Sequence, residues 1–212
     1  MKFEKRDLLP VGLLLLAMLA GAYYYEALPE TMATHFGVEG EANGWMGKNM
    51  GLSLPIVIGA FVYLLLRFLP WLATKQDKKN ILALKEELYW LTVLMAGLIA
   101  FAQLSSIYAN LGNPFPIGIF SVAISAVIFY SGYLMTRAKR NYFVGMRLPW
   151  TLASNRVWDA TNRIAGKAFM GVAVAYFAAG FYSNALAFTV LIGGILATVA
   201  FSVVYSFVLS KR

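Results

Sequence analysis

Long apolar stretches alternate with short polar ones along the chain, and the ionisable residues gather at the ends of the apolar stretches. Six stretches, at about 8–26, 51–69, 90–109, 117–136, 168–183 and 186–208, approach the roughly 20 residues that a helix needs to cross a bilayer. The pattern predicts an all-α fold, a polytopic membrane helix bundle of six transmembrane helices forming one integral membrane domain over 1–212. The fifth stretch is the shortest, and only Ser183 and Asn184 part it from the sixth, which predicts a tight helical hairpin. The first stretch follows a basic segment and contains Ala20-Gly21-Ala22, the form of a cleavable signal. It is read as a retained span, and cleavage there would leave the other five oriented as before.

Composition agrees with the pattern. The hydrophobic class reaches 60% before 18 glycines are added, above the roughly 45–50% of a soluble domain. The absence of cysteine excludes a disulfide framework, a thiolate metal site, an iron–sulfur cluster and a cysteine nucleophile. The net charge of +8 comes without a long basic run or a soluble domain to read a groove, so direct nucleic-acid binding is not expected.

Topology explains that charge better, because Lys and Arg are retained on the cytoplasmic side. Lys2, Lys5 and Arg6 precede the first span, and Arg67, Lys75, Lys78, Lys79 and Lys85 lie around the second connection. Arg137, Lys139, Arg140, Arg147, Arg156, Arg163 and Lys167 fill the fourth connection, and Lys211 and Arg212 close the chain. Of 18 basic residues only Lys48 falls on the opposite face. Both termini are expected to be cytoplasmic, in a prokaryotic plasma membrane. Tyr23, Tyr24, Tyr25 and Tyr108 then mark outer span ends, and Trp71, Tyr89 and Trp90 inner ones.

No span has an ionisable residue near its centre, which disfavours ion-coupled transport. The most polar interior cluster, Gln103, Ser105 and Ser106, can be satisfied by neighbouring helices and backbone. Small residues at Gly171, Ala175 and Ala179, and at Ala17 and Gly21, have the spacing of close helix contacts.

Two connections carry candidate chemistry. The structured outer loop, 26–50, holds the only histidine, and its glycines at 37, 40, 44 and 47 predict a cap built of turns. Glu26, Glu30, Glu39 and Glu41 against Lys48 make it acidic, suited to a cationic or amphipathic ligand. His35, Glu39, Glu41, Trp45 and Lys48 are its candidate ligand residues. One histidine and two carboxylates make a poor metal pattern, so neither metal nor cofactor is expected.

The basic cytoplasmic loop, 137–167, carries seven bases against Asp159 alone, enough to hold it on anionic headgroups. Ser154 is placed to cap a helix whose Val157, Trp158, Thr161, Ile164 and Ala165 share one side. Asp159 has the spacing to pair with Arg156 or Arg163. This predicts a short interfacial helix before the fifth span, serving as a membrane anchor or a docking face. In the second cytoplasmic connection Ile81, Leu84 and Leu88 share a face, read as a solvated extension of the third span.

The two loops together resemble the SdpI family, membrane proteins named for immunity to a secreted sporulation-delaying toxin. Leu28, Pro29, His35, Gly40, Glu41, Trp45 and Lys48 are similar to the small domain that often precedes the SdpI region. Asn141, Gly145, Arg147, Pro149-Trp150-Thr151-Leu152, Trp158 and Asn162-Arg163 are similar to the family's own signature. Asn43 departs from the pattern, where an acidic residue is expected before Gly44. The resemblance implies protection against a membrane-active peptide toxin, and signalling by recruitment of a cytoplasmic transcriptional repressor. Expected partners are thus the lipid bilayer, an extracellular peptide toxin and that repressor. Candidate partner-binding residues are Asn141, Gly145, Arg147, Trp150, Arg156, Trp158, Asn162 and Arg163. The residues themselves leave two other readings open: a small-molecule permease or membrane enzyme with its site at an interface, and a membrane scaffold. No nucleophile–base pair or phosphate loop supports catalysis, so the chain is not expected to be an enzyme.

Overall fold

The computed structural model describes residues 4–212; Lys2, counted among the bases above, lies outside the described residues. Eight α-helices and one hairpin form among them. They are α1 (Leu8–Tyr23), β1 (Thr31–Phe36), β2 (Ala42–Gly47), α2 (Lys48–Leu72), α3 (Lys75–Leu82), α4 (Lys85–Asn110), α5 (Ile117–Arg137), α6 (Pro149–Ala153), α7 (Asn155–Ala179) and α8 (Asn184–Ser210). Five are long and apolar enough to cross a membrane: α1 with its leading turn, α2, α4, α5 and α8. Their outward faces carry large apolar side chains, among them Leu19, Phe61, Ile119 and Leu196, each more than 60% exposed. This is a surface made for lipid, and the protein is a multi-pass membrane protein.

The expected interfacial helix and fifth span are one continuous helix, α7. Its second half, 168–179, rises only about 18 Å, short of the roughly 30 Å hydrocarbon core. Its first half carries Arg156, Asp159, Asn162, Arg163 and Lys167, which keeps α7 out of the five apolar helices. The tight hairpin to α8 forms as expected, with Ser183 Oγ accepting from Leu186 N (3.1 Å) to cap α8.

By its contacts the chain divides into two compact units. The first holds the residues up to Arg67 together with Thr92–Ile124. Here α1 and α2 run antiparallel: Arg67 pairs with Asp7 (3.1 Å) and Glu4 (3.0 Å) at one end, while the Tyr25 hydroxyl donates to Asn49 Oδ1 (2.7 Å) at the other. Ala17 and Gly21 are buried as their spacing suggests. Gly59 also lets the helices close, because a Cβ there would sit 2.6 Å from Leu14 Cδ2. The polar cluster in α4 is only partly satisfied: Ser106 Oγ donates to Ala33 O (3.0 Å), while Gln103 Oε1 and Ser105 Oγ are buried without a partner among the described residues.

The second unit holds Phe68–Leu91 and Ser125–Arg212. Its core packs Leu69, Ile81, Leu84 and Leu88 against Leu134 and Ala138. The apolar face of the second connection is therefore not a solvated extension. The helix breaks between Leu82 and Lys85, and that face is buried. Closest approach between α5 and α7 falls at two other glycines than the spacing suggested. A Cβ on Gly166 would lie 2.4 Å from Gly132 O, and one on Gly132 2.6 Å from Gly166 O. Gly171 and Ala175 face outward instead, because a four-residue spacing shows that residues share a stripe but not where the stripe points.

Candidate functional sites on two loops

The 26–50 segment is a β-hairpin rather than a cap of turns. Thr31 pairs with Gly47, Met32 with Met46, Ala33 with Trp45, His35 with Gly44 and Phe36 with Ala42, with irregular register around His35. Two features bolt it to the first unit. Met32 is fully buried among Leu28, Ile107 and neighbouring apolar groups. The Asn110 amide then pairs with Ala33 as a neighbouring strand would: Oδ1 accepts from Ala33 N (2.8 Å) and Nδ2 donates to Ala33 O (2.9 Å). At the tip Gly40 has φ +87°, and Phe36 stacks on Phe115 with ring centroids 4.1 Å apart.

The five candidate residues of this loop divide. Lys48 is buried: its ammonium pairs with Glu30 (2.9 Å), donates to Tyr25 O (3.2 Å) and lies 4.6 Å from the centre of the Tyr25 ring. His35 Nδ1 is hydrogen-bonded to Asn43 Oδ1, so the residue that departs from the family pattern is the histidine's own partner. Glu41 folds back over Gly37, with Oε2 accepting from Glu39 N (3.1 Å). Glu39 and Trp45 stand exposed on the hairpin, Trp45 by 59%. No group of three His, Asp or Glu residues that could hold a metal occurs among the described residues.

The 137–167 segment is a hydrogen-bonded frame. Asn141 is buried, and its Oδ1 accepts from Phe143 N and Val144 N, each at 2.7 Å. Its Nδ2 donates to Lys139 O (2.7 Å) and Val144 O (3.2 Å). Asn162 does the same from α7: Oδ1 accepts from Met146 N (2.6 Å) and Nδ2 donates to Trp158 O (3.1 Å). Trp158 is fully buried and donates its indole N–H to Ala138 O (2.8 Å) at the end of α5. Between them passes Gly145 at φ +119°, where a Cβ would lie 2.4 Å from Asn162 Oδ1 and 3.0 Å from the Trp158 ring. Thr151 completes the frame, accepting from Leu148 N (2.9 Å) and donating to Met146 O (2.7 Å).

Ser154 caps α7 as its position suggested, accepting from Val157 N at 3.4 Å. Trp150 reaches α8, where its indole N–H donates to Ser206 Oγ (2.8 Å) and its ring meets Phe207 edge-on. Asp159 pairs with Lys139 (3.6 Å), not with Arg156 or Arg163 as helical spacing suggested. Arg147 is exposed and donates to Tyr142 O (3.0 Å), and Arg156 is exposed and donates to Leu209 O (3.2 Å). Arg163 is also exposed, on the same side of α7 as Arg156. The segment thus brings together Asn141, Gly145, Trp158 and Asn162 as an interior and leaves Arg147, Arg156 and Arg163 outside. Sequence reasoning missed Asn110. Its only signal was an amide one helical turn beyond Ser106.

Two family models match parts of this chain. Residues 137–206 match the SdpI/YfhL protein family, and residues 12–64 match a domain of unknown function, DUF1648. The immunity protein SdpI of Bacillus subtilis (strain 168) is 27% identical over 169 residues, covering 77% of this chain and 75% of that protein. No solved structure matches. The frame around Trp158 lies in the first of these regions and the whole hairpin in the second, so this multi-pass membrane protein is similar to the SdpI/YfhL family over its last third and to DUF1648 ahead of it.

Proposed function

We propose that this protein protects its own cell against a secreted, membrane-active peptide, by binding and without turnover. The observation that carries the reading is the similarity to the Bacillus subtilis immunity protein across three quarters of both chains. The hairpin and the basic loop fall in the regions that the two family models match. In this reading α7 completes six crossings and both termini are cytoplasmic, as the placement of all bases but Lys48 supports. The hairpin then faces outward. Its exposed Glu39 and Trp45 offer a negative charge and an amphipathic ring to a cationic, amphipathic peptide, while His35, Glu41 and Lys48 hold the hairpin's shape.

On the cytoplasmic side Arg147, Arg156 and Arg163 form the contact surface for a repressor, carried on the frame of Asn141, Gly145, Trp158 and Asn162. Signalling requires that peptide and repressor each favour one of two conformations, since a ligand that binds both equally shifts nothing. The test is survival of a peptide-sensitive strain expressing this chain, challenged with purified sporulation-delaying toxin beside an empty-vector control. Protection is the expected result. Unprotected cells with the protein shown to be in the membrane would overturn the proposal.

A further inference from the structure

Along one side of α7, Arg156, Arg163 and Lys167 line a groove of about 590 Å³ whose opposite wall is Tyr205 of α8. Their spacing of seven and four residues stacks the three cations over about 16 Å of helix. Asp159 lies in the same groove, but its carboxylate is drawn to Lys139 at 3.6 Å. Arg156 spends one donor on the carbonyl of Leu209. Arg163 and Lys167 are exposed and have no hydrogen bond or ion pair among the described residues. The groove therefore sets three cations against one carboxylate that is shared with Lys139, with Tyr205 beside them, on the polar half of α7. Its depth selects the ligand. Arg156 lies level with the C-terminal end of α8, and Lys167 lies about 16 Å further along α7, beside the part of α8 that carries only apolar and hydroxyl side chains. A soluble anion would meet the Arg156 end. A lipid phosphate sits at the membrane boundary and leaves its chains against the apolar residues beyond, so it can satisfy the whole row.

We propose that this groove binds the phosphodiester headgroup of an anionic phospholipid, with Arg163 and Lys167 as its principal contacts and Arg156 and Tyr205 at its rim. The proposal does not depend on the immunity function, but it shares Arg156 and Arg163 with the surface proposed for the repressor, so lipid and repressor would compete for these two side chains.

The test uses the full-length protein purified in a neutral detergent and titrated with phosphatidylglycerol or phosphatidylcholine, with bound lipid counted by native mass spectrometry. Wild type is expected to retain phosphatidylglycerol at least tenfold more tightly than phosphatidylcholine. Arg163→Gln combined with Lys167→Gln is expected to reduce that preference to within twofold. Lys78→Gln with Lys79→Gln, which removes the same charge from another exposed segment, is expected to leave it unchanged. The swap Arg163→Lys with Lys167→Arg, expected to keep the preference, separates loss of charge from loss of fold. Equal losses from the two neutralised pairs would overturn the site in favour of diffuse attraction. Displacement of the lipid by millimolar inorganic phosphate would overturn the lipid in favour of a soluble anion.

Discussion

Replacing Gly145 by alanine tests whether the frame around Trp158 is as tightly closed as it is drawn. Two costs add. The first is conformational: at φ +119° an L side chain is strained, by about 1–2 kcal/mol. The second is local. A methyl 2.4 Å from Asn162 Oδ1 must push that amide away, and Asn162 Oδ1 is the acceptor for Met146 N. Losing that pair leaves a half-buried donor unsatisfied, for about 1–3 kcal/mol more. Gly112 supplies the control, since it too has positive φ, +92°, but nothing lies within 4 Å of where its Cβ would stand. Gly112→Ala should cost only the conformational part. The assay is the unfolding midpoint of each purified variant in the same detergent, on a common scale with wild type. Gly145→Ala is expected to lose about 2 kcal/mol more than Gly112→Ala, the middle of the hydrogen-bond range. Equal losses would show that Asn162 moves aside freely and that the frame is loose.

Other perturbations test single contacts within each unit. Asn110→Ala removes both hydrogen bonds to Ala33 and is expected to raise amide exchange across 31–36 by at least tenfold while leaving exchange in α7 unchanged; protection equal to wild type would mean Met32 alone holds the hairpin. Arg67→Leu strands the buried Asp7 carboxylate and is expected to destabilise the protein by about 1–3 kcal/mol in thermal unfolding, less than the roughly 3–5 kcal/mol of a fully buried pair because Arg67 is itself partly exposed. Asp7→Asn in that background should restore part of the loss. In the survival assay Glu39→Lys with Trp45→Ala is expected to lower protection at least tenfold at equal membrane abundance, and undiminished protection would remove the hairpin face from peptide binding.

The helices were legible because lipid imposes one condition, a long apolar run, that needs no tertiary knowledge. The hairpin was not. Its strands read Thr-Met-Ala-Thr-His-Phe and Ala-Asn-Gly-Trp-Met-Gly, and the second has two glycines in six residues, so local propensity argues for turns. The strands form because Met32 finds a buried pocket and Asn110, 77 residues away, completes the hydrogen bonding of Ala33. Asp159 failed for the same reason. Spacing on one helix offered Arg156 and Arg163, but the loop returns Lys139 to it from 20 residues upstream, and helical periodicity cannot register that.

Within the basic loop, the expected partner-binding residues occupy two different settings, and hydrogen-bonding capacity makes the distinction. An asparagine side chain has two donor hydrogens and one acceptor oxygen with two lone pairs. Asn141 commits all of these to four backbone groups of its own loop. The single donor of Trp158 is spent on Ala138 O, and Asn162 is engaged on both its oxygen and its nitrogen. A partner that bound these side chains directly would have to break buried hydrogen bonds, each costing about 1–3 kcal/mol when left unsatisfied, before gaining anything in return. In the proposed function, recognition at this loop would therefore fall to side chains with donors to spare: Arg147 and Arg156, each with one donation to a carbonyl, and Arg163 with none among the described residues. Substituting the buried residues should abolish binding together with stability, whereas substituting the arginines should abolish binding alone.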